Sequence, residues 1–342
     1  FDCIYGTDAN PRMARTAKMN MIMHGDGHGG VHHHDGLLNV NGIFENRFDI
    51  ILTNPPFGAR VEKDLKISEA DRFTDETKIA AYVKRYGEEY KKALRQVNDN
   101  INKSLLSLYK IDSSLTEVLF IERCLNLLKP GGRMGIVLPE GVLNNTNLQK
   151  ARDFVEGKAK ILLIVSIPQD VFIASGATVK PSLLFFKKFT EEEASAYSQI
   201  QNQAQLEVAT KYQKEIDSIK EKLKLRGSEA PSKEEKKIYR SKLKALQEKI
   251  ETEVKTIVKE KFDYEIPIAE IQKAGISTTG KEIENELIPL AKEFKPYRIE
   301  NKLWDMPFKT IKYKTDEESN VFRYRETGGI MSEPEPFYNE KK

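Results

Sequence analysis

Residues 48–57 read Phe-Asp-Ile-Ile-Leu-Thr-Asn-Pro-Pro-Phe, and the fold that we expect for the chain follows from this stretch. Its first six residues are mostly apolar and are bounded by proline, which is typical of a buried strand that ends abruptly. Pro55 and Pro56 fix φ and hold the residue before each in an extended conformation, so the loop after the strand should be stiff. In an open α/β sheet, the carboxyl ends of parallel strands are where ligands bind.

This loop carries groups that suit a planar ring bearing an amino group. The Asn54 side chain and the Pro55 carbonyl can both accept hydrogen bonds from one exocyclic amino group, and Phe57 can stack on the ring. The loop therefore predicts chemistry on an amino nitrogen attached to a planar base. The alternative is that Phe57 is an ordinary core aromatic, which its place after two prolines disfavours.

Composition sets bounds on the protein without identifying it. The 342 residues, with 39% hydrophobic and 31% charged residues, can form one large or two ordinary domains. A net charge of +3 does not mark a nucleic-acid binder, so any basic surface must be local. Cys3 and Cys124 lie in apolar segments and are interpreted as small buried residues. No long apolar run or secretory signal is evident, so we expect a soluble cytoplasmic protein with no membrane contact.

Strand-like runs alternate with helical patterns along residues 1–190. The strand-like runs cover residues 2–7, 48–53, 132–138, 161–167 and 182–187, and helical patterns cover residues 11–23 and 115–128. This alternation predicts an α/β domain with a doubly wound parallel sheet.

Residues 59–112 interrupt this pattern and are polar, charged and poor in strand signals. We expect an insertion of helices and loop that either covers a bound ligand or contacts a phosphate backbone. Its candidate phosphate contacts are Lys78, Lys84, Arg85, Lys91, Lys92 and Arg95. A plain solvated helix face is an equally favoured interpretation.

The rest of the chain changes character. Residues 191–261 are rich in Glu, Lys, Gln and Ala and carry two apolar stripes at helical spacing, which predicts an antiparallel helical hairpin or coiled coil. Contact with another subunit is its favoured role, and a basic arm facing DNA comes second. Residues 262–312 are expected to form a tail that packs on the core. Residues 313–342 are expected to be a linker or a disordered terminus.

Several further segments accompany residues 54–57 in a fixed order. They are residues 4–11, 17–25, 35–38, 117–123, 128–139, 172–180 and 183–186. Together these segments resemble the N6-adenine DNA methyltransferases, and among them the methylation (M) subunits of type I restriction-modification systems. The resemblance implies a Rossmann-like class I methyltransferase sheet and S-adenosyl-L-methionine as the cofactor. It also implies that the methyl group is transferred to adenine N6 in DNA.

The resemblance places the catalytic residues at Asn54, Pro55, Pro56 and Phe57. Adenine N6 is a poor nucleophile because its lone pair is delocalised into the ring. Acceptors at Asn54 and Pro55 would polarise the N–H bonds, so the reaction needs positioning and electrostatic complementarity more than a strong base. Phe57 would stack on an adenine that has left the duplex.

The resemblance places cofactor binding at two acidic positions. Asp8, at the end of a strand pattern, would accept hydrogen bonds from ribose hydroxyls, although Asp also suits a helix N-cap. Asp35, Gly36 and Leu37 would hold the adenine moiety of the methyl donor, with the carboxylate accepting from its amino group and a backbone N–H serving a ring nitrogen. An ordinary turn is the alternative for this second site.

The resemblance also implies partners. The substrate would be double-stranded DNA with the target adenine flipped out. No target-recognition domain is evident in the sequence, which fits a separate specificity (S) subunit beside a restriction (R) subunit. A second M subunit is a further candidate partner.

Two features depart from the family pattern. The glycine-rich loop Phe-x-Gly-x-Gly, expected before Asp8, is absent, so we expect the first strand to be missing and the methyl donor to bind weakly or not at all. The second departure is a cluster of histidines without cysteine or carboxylate partners at structural-zinc spacing, which favours a flexible polar loop over a metal site. These histidines are His24, His28, His32, His33 and His34.

Two other functions remain open at this point. The pattern Asn-Pro-Pro followed by an aromatic also serves methyltransferases that act on guanine N2 of ribosomal RNA or on a protein glutamine. A non-catalytic assembly protein that keeps the loop as structure is the third hypothesis, and it predicts that Asn54→Ala has no effect.

Overall fold

The computed structural model describes residues 3–25, 29–176, 178–226, 231–304, 310–315 and 322–327. The chain divides into two compact units, Phe1–Asn285 and Glu286–Lys342. Among the residues described, no helix combines the length and the apolar character needed to cross a membrane.

A small parallel sheet opens the first unit. Strand β1 (Gly6–Asp8) pairs with β2 (Val31–His33), and helix α1 (Pro11–Met23) connects them. Helix α1 begins where it does because the Asn10 side chain accepts a hydrogen bond from the Arg12 N–H and proline occupies the first helical position. The register sets Asp8 opposite His33, so the carboxyl ends of β1 and β2 lie side by side.

Two interpretations of the amino-terminal sequence are wrong. Cys3 is exposed, because the strand expected over residues 2–7 begins only at Gly6. The histidine cluster is not a flexible loop throughout, since His32 and His33 belong to β2 and His34 donates its N–H to the Asp8 carbonyl at 3.1 Å. His28 lies outside the described residues.

The main sheet has five strands. They are β3 (Phe48–Thr53), β4 (Leu128–Pro139), β5 (Ala159–Ser166), β6 (Pro181–Lys188) and β7 (Ile268–Glu270), in the order β3-β4-β6-β5-β7. The α/β prediction is confirmed, and the sheet is mixed where the alternation of strands and helices indicated a parallel one. Strand β6 is antiparallel to both β4 and β5, while β3–β4 and β5–β7 are parallel. A short apolar run fits either direction, so the sequence pattern does not encode this difference.

Strand β3 lies at the edge of this sheet and, among the described residues, pairs only with β4. Its side chains Ile50 and Leu52 are 49% and 78% exposed. The beginnings of the two sheets meet where the ring of Tyr5 contacts that of Phe48 edge-on, with 5.7 Å between centroids. The two sheets therefore adjoin at the starting ends of their strands. The candidate site residues lie at or after the carboxyl ends of strands from both sheets.

The insertion between β3 and the next long helix contains helices α2 (Glu76–Tyr86) and α3 (Glu88–Asn98). Gly87, with φ of +70°, separates them, because a left-handed backbone angle there suits glycine. Helix α3 buries Tyr90, Ala93, Leu94 and Val97 on one face.

Helices α4 (Thr116–Leu127), α5 (Gly141–Asn144) and α6 (Gln149–Glu156) complete the core around the main sheet. Helix α4 is buried almost all round, and its Leu125 packs in one core cluster with Leu128, Met134, Ile136 and Phe186 of the sheet. Full burial of an otherwise apolar helix makes its few charged residues informative.

The predicted helical hairpin consists of α7 (Glu191–Lys224) and α8 (Lys233–Lys261). Each helix begins with a capping box, Thr190 with Glu193 and Ser232 with Glu235. The helices run antiparallel, as two ion pairs between them show: Lys211 with Glu253 at 2.8 Å, and Glu207, earlier in α7, with Lys261, later in α8, at 4.0 Å. Their shared apolar seam includes Val208, Leu246 and Val254.

Short elements follow the hairpin. Strands β8 (Ala274–Ile276) and β9 (Glu282–Asn285) are antiparallel and end the first unit. The second unit contains α9 (Leu287–Glu300) and an antiparallel pair, β10 (Thr310–Thr315) and β11 (Phe322–Thr327). Of residues 313–342, predicted to be linker or disordered, the structure describes only 313–315 and 322–327, which form strands.

Candidate active site

The loop after β3 presents Asn54 to solvent. Asn54 and Pro56 are exposed, whereas Pro55 between them is buried. The loop ends at Gly58, whose φ of +69° turns the chain away from the strand direction. A buried proline next to an exposed amide fixes the backbone while leaving the amide side chain accessible, as the predicted chemistry requires.

A buried carboxylate holds the end of this loop. The N–H of Gly58 donates to Glu117 Oε1 at 3.3 Å, and Glu117 is the second residue of α4 and only 5% exposed. The N–H of Thr116 also donates to the Ala59 carbonyl at 3.0 Å. The position at the start of a helix favours a carboxylate there. The loop is therefore fixed at Pro55 and again at Gly58.

Only one oxygen of Glu117 is satisfied. Glu117 Oε2 is buried and has no hydrogen-bond partner among the described residues. A buried acceptor without a donor costs about 1–3 kcal/mol.

Two aromatic rings lie beside the loop. The ring of Phe57 meets that of Phe172 edge-on, with 5.8 Å between centroids and 84° between planes, and both side chains are half-buried. Phe172 belongs to a short 3-10 segment, Gln169–Ser175, that follows β5. Sequence reasoning identified Phe57 but not its partner, because residues so distant in sequence meet only in the folded chain.

Asp8 takes part in a local turn as well as lying at a strand end. Its Oδ1 accepts the N–H of Asn10 at 2.7 Å, which is close to the capping role that was the alternative. The Asp8 side chain is nevertheless exposed. Its other oxygen makes no hydrogen bond with the described residues, so one acceptor remains for a ligand.

The Asp35 turn lies directly beyond the neighbouring strand. Asp35 Oδ1 accepts the N–H of Leu37 at 2.9 Å, and the Leu38 N–H donates to the Asp35 carbonyl at 3.2 Å. Leu37 is only 5% exposed. The Leu37 N–H, which was expected to serve a ring nitrogen of the methyl donor, is thus already engaged within the turn. Gly36 packs closely against Phe120, since a Cβ there would lie 3.0 Å from the ring and the ring would have to shift.

Arg123 of α4 holds this turn from inside the core. Its guanidinium donates to the carbonyls of Gly36 at 3.1 Å and Leu38 at 2.7 Å, and to Asn39 Oδ1 at 2.7 Å. Burial lowers the pKa of Arg123 from its ordinary value. A second clamp comes from Tyr109, whose hydroxyl donates to the Leu37 carbonyl at 2.6 Å and whose pKa is raised by burial.

One helix therefore positions both candidate loops. Glu117 fixes the Asn54 loop and Arg123 fixes the Asp35 turn, and six residues of α-helix separate them by about 9 Å along the axis. Sequence reasoning missed both residues. The available signal was the presence of three charged residues, Glu117, Glu122 and Arg123, in a helix that is mostly apolar and buried.

Two histidines of the cluster have polar neighbours within hydrogen-bonding distance. His32 Nδ1 lies 3.1 Å from Asn41 Nδ2, and His33 Nε2 lies 3.1 Å from the Ala9 carbonyl. Within the described ranges, no three His, Cys, Asp or Glu side chains are grouped to hold a metal ion.

Comparison with known proteins identifies the family. The family described as N-6 DNA Methylase matches residues 2–86 and 84–266, so the chain belongs to the N-6 DNA methylase family. A curated relative, the type I restriction enzyme StySPI methylase subunit of Salmonella potsdam, is 26% identical over 193 residues. The matched region is 54% of this chain and 28% of that protein, so the chain spans less than a third of the relative's length.

Solved structures with partial similarity include two type I subunits. A modification subunit of a putative type I restriction enzyme from Vibrio vulnificus YJ016 is 21% identical with a TM-score of 0.37, and the match covers 54% of this chain and 32% of that one. The type I restriction enzyme EcoKI M protein is 23% identical with a TM-score of 0.37, covering 56% of this chain and 32% of that one.

Proposed function

We propose that the chain is the catalytic part of an S-adenosyl-L-methionine-dependent DNA methyltransferase that modifies adenine N6, as the modification subunit of a type I restriction-modification system. The observation that carries this proposal is the exposed Asn54 on a loop fixed at Pro55 and at Gly58. Membership of the N-6 DNA methylase family and similarity to a type I methylase subunit support it.

The acceptor side of the reaction uses the Asn54 loop. Asn54 Oδ1 and the Pro55 carbonyl accept hydrogen bonds from the N6 amino group of a flipped adenine, which draws its lone pair out of conjugation and toward the methyl donor. Phe57 stacks on the base, a contact worth about 1–3 kcal/mol, and Phe172 supports Phe57 edge-on. Pro56 keeps the loop extended, so the acceptors are in place before the base arrives.

The donor side uses the acidic strand ends. Asp8 and Asp35 fit S-adenosyl-L-methionine, since each uses one carboxylate oxygen within a turn and keeps the other for a ligand. The glycine-rich loop expected before Asp8 is absent, so we expect these two residues alone to hold the cofactor weakly. When bound, the cofactor supplies an electrophilic methyl group. Asp8 would accept from its ribose hydroxyls and Asp35 from its adenine amino group. Gly36 and Leu37 shape the turn that presents Asp35.

The proposed partners follow from the same assignment. Double-stranded DNA with a flipped adenine is the substrate, a specificity (S) subunit reads its sequence, and a restriction (R) subunit completes the system. The α7–α8 hairpin offers a long charged surface for contact with one of these subunits or with a second M subunit. We place the reaction in the cytoplasm, where DNA and the methyl donor meet.

The test is methyl incorporation from labelled S-adenosyl-L-methionine into unmethylated duplex DNA by the full chain with its partner subunits, with and without a Phe-x-Gly-x-Gly loop restored before Asp8, because we expect little activity without that loop. Asn54→Ala should lower the turnover number at least about 100-fold, because one preorganised hydrogen-bonding group is lost. Asn202→Ala, an exposed asparagine on α7, is the matched control and should leave the rate unchanged.

Two results would contradict the proposal. Full activity of the Asn54→Ala variant would favour a non-catalytic role for the loop. Labelling of ribosomal RNA or of protein in place of DNA would keep the enzyme class and change the substrate.

A further inference from the structure

A cleft of about 760 Å³ lies next to the segment that follows the Asn54 loop. One wall follows the Asn54 loop and includes Arg60 and Lys63, and the other includes Asn145 and Lys150 around the start of α6. Lys110, from the end of the insertion, also lines it. The cleft therefore joins the segment after β3 to the segment after β4.

The lining is strongly cationic. Arg60, Lys63, Lys110 and Lys150 face a single acidic residue, Asp112. This imbalance contrasts with the whole chain, in which 55 basic residues are nearly matched by 52 acidic ones. The lining also has uncharged polar side chains, namely Ser104, Tyr109, Ser113, Ser114, Asn145 and Asn147, and its remaining residues are apolar. Cations with hydroxyl and amide donors form the set of groups that proteins use on phosphate oxygens.

These cations are available to a ligand. Arg60, Lys63 and Lys110 form no ion pair with any residue that the structure describes, and Lys150 reaches Asp112 only at 3.9 Å with both side chains exposed. Arg60 is also held in place, since its Nη1 donates to Ser114 Oγ at 3.1 Å. The cleft thus concentrates positive charge that the fold itself leaves unpaired.

The basic residues favoured by the sequence are less available. Lys78, Lys91 and Lys92 pair with acidic residues three positions earlier in the chain, at 3.2, 2.6 and 2.6 Å. These pairs partly neutralise the α2–α3 surface. The observations therefore favour the cleft over that surface as a place for a polyanion.

The position of the cleft fits a nucleic-acid strand that leads to the catalytic loop. Arg60 lies six residues after Asn54, so at most about 22 Å of extended chain separates them. Strands β3 and β4 are parallel neighbours, so both walls lie at the same edge of the sheet as Asn54. A base flipped onto that loop carries its flanking phosphates with it.

We propose that this cleft binds the phosphodiester backbone of the DNA strand next to the target adenine. This inference rests on the proposed function, because it takes the substrate to be DNA. Arg60, Lys63 and Lys110 contact phosphate oxygens and fix the strand's position without reading its sequence. Sequence readout remains with another subunit.

The experiment measures how DNA affinity depends on salt, using the full chain with its partner subunits and a fluorescent duplex. DNA affinity is measured at salt concentrations between about 50 and 200 mM, where log affinity falls linearly with log salt. Each lost phosphate contact makes this fall less steep by about 0.9. The double variant Lys63→Gln with Lys110→Gln should therefore reduce the steepness of the salt dependence by about 1.8. Both side chains are exposed, so the melting temperature should not change.

Two matched variants control for charge and for location. Lys63→Arg with Lys110→Arg keeps the charges and should keep the slope. Lys91→Gln with Lys92→Gln removes two lysines from α3 and should also keep it. An unchanged slope in the first glutamine variant, or an equal loss in both glutamine variants, would overturn the proposal.

The test separates this inference from the proposed function. Asn54→Ala should bind DNA with the wild-type salt slope while losing methyl transfer. If Asn54→Ala loses activity but the cleft variant keeps its slope, the enzyme assignment stands and the cleft proposal fails. If Asn54→Ala keeps full activity, the catalytic assignment fails whatever the slope shows.

Discussion

The guanidinium of Arg123 donates from the protein core to the carbonyl of Leu38 at 2.7 Å, and with two further hydrogen bonds it encloses the Asp35 turn. Arg123 is 4% exposed and forms no ion pair with the described residues. A buried cation without a carboxylate is tolerated only when its donors are well satisfied. Arg123 therefore fixes the position of the Asp35 turn relative to helix α4.

Replacing Arg123 with methionine should loosen this turn. We expect Arg123→Met to lower the free energy of unfolding by about 2–4 kcal/mol, because buried carbonyls lose their donor. Urea denaturation measures this loss, and calorimetry should show weaker binding of S-adenosyl-L-methionine. Arg240→Met, at an exposed position on α8, is the control and should stay within about 0.5 kcal/mol of wild type. Equal stability of the two variants would show that the clamp on the turn is dispensable.

Glu117 should act on turnover by positioning the Asn54 loop. Without the Glu117 carboxylate, the Gly58 N–H loses its acceptor and the loop shifts relative to the methyl donor. A misplacement of about 1 Å can cost about 100-fold in rate, so we expect Glu117→Ala to lower kcat by that order with little change in KM for DNA.

The conservative variant Glu117→Gln separates positioning from charge. Its amide oxygen can still accept from Gly58, so this variant should recover most of the lost kcat. A change in KM for DNA without a change in kcat would contradict a positioning role. An equal loss of kcat in Glu117→Gln and Glu117→Ala would contradict it as well. Steady-state kinetics with unmethylated duplex DNA supplies both constants.

The Phe57–Phe172 pair predicts graded effects on the flipped base. Phe57→Ala should weaken binding of the target base about 5–150-fold, the equivalent of one lost stacking contact. Phe172→Ala should cost less, since it removes an edge-to-face contact worth about 0.5–1.5 kcal/mol and leaves the stacking ring in place. A duplex with 2-aminopurine at the target position reports the flipped base by its fluorescence. A larger loss in Phe172→Ala than in Phe57→Ala would mean that Phe172 is the stacking ring.

The parts of this fold that local sequence patterns encode could be predicted. Strand β3 and its stiff loop follow from an apolar run that meets Pro55, and α4 follows from apolar residues at helical spacing. Strand β2 could not be predicted, because three residues that include His32 and His33 give no strand pattern. Its existence depends on pairing with β1.

The parts that depend on contacts distant in sequence stayed hidden. The bonds from Arg123 to Leu38 and from Glu117 to Gly58 join residues that only the fold brings together. The periodicity of apolar residues indicates that α4 is buried, but it does not show which loop each charged residue contacts. The cleft beside Arg60 was missed for the same reason, since its cations come from separate segments.

Lys188 should give the protein a measurable dependence of stability on pH. Its ammonium donates to the Leu128 carbonyl at 2.7 Å and to Asn46 Oδ1 at 2.8 Å. Burial, helped by the nearby charge of Lys158, lowers the pKa of Lys188 from 10.5 to about 8. The unfolded chain therefore binds more protons than the folded one between pH 8 and 10.5, and the free energy of unfolding should rise with pH across this window.

Tyrosines act in the opposite direction at higher pH. Burial raises the pKa of Tyr86 from 10.0 to about 12, so above pH 10 the unfolded chain releases a proton that the folded one keeps, and stability falls. The Lys188 effect is therefore best measured below pH 10, as the difference between wild type and Lys188→Met in urea denaturation. The difference should move in favour of wild type as the pH rises from 8. A difference that stays constant with pH would show that Lys188 keeps an ordinary pKa in the folded protein.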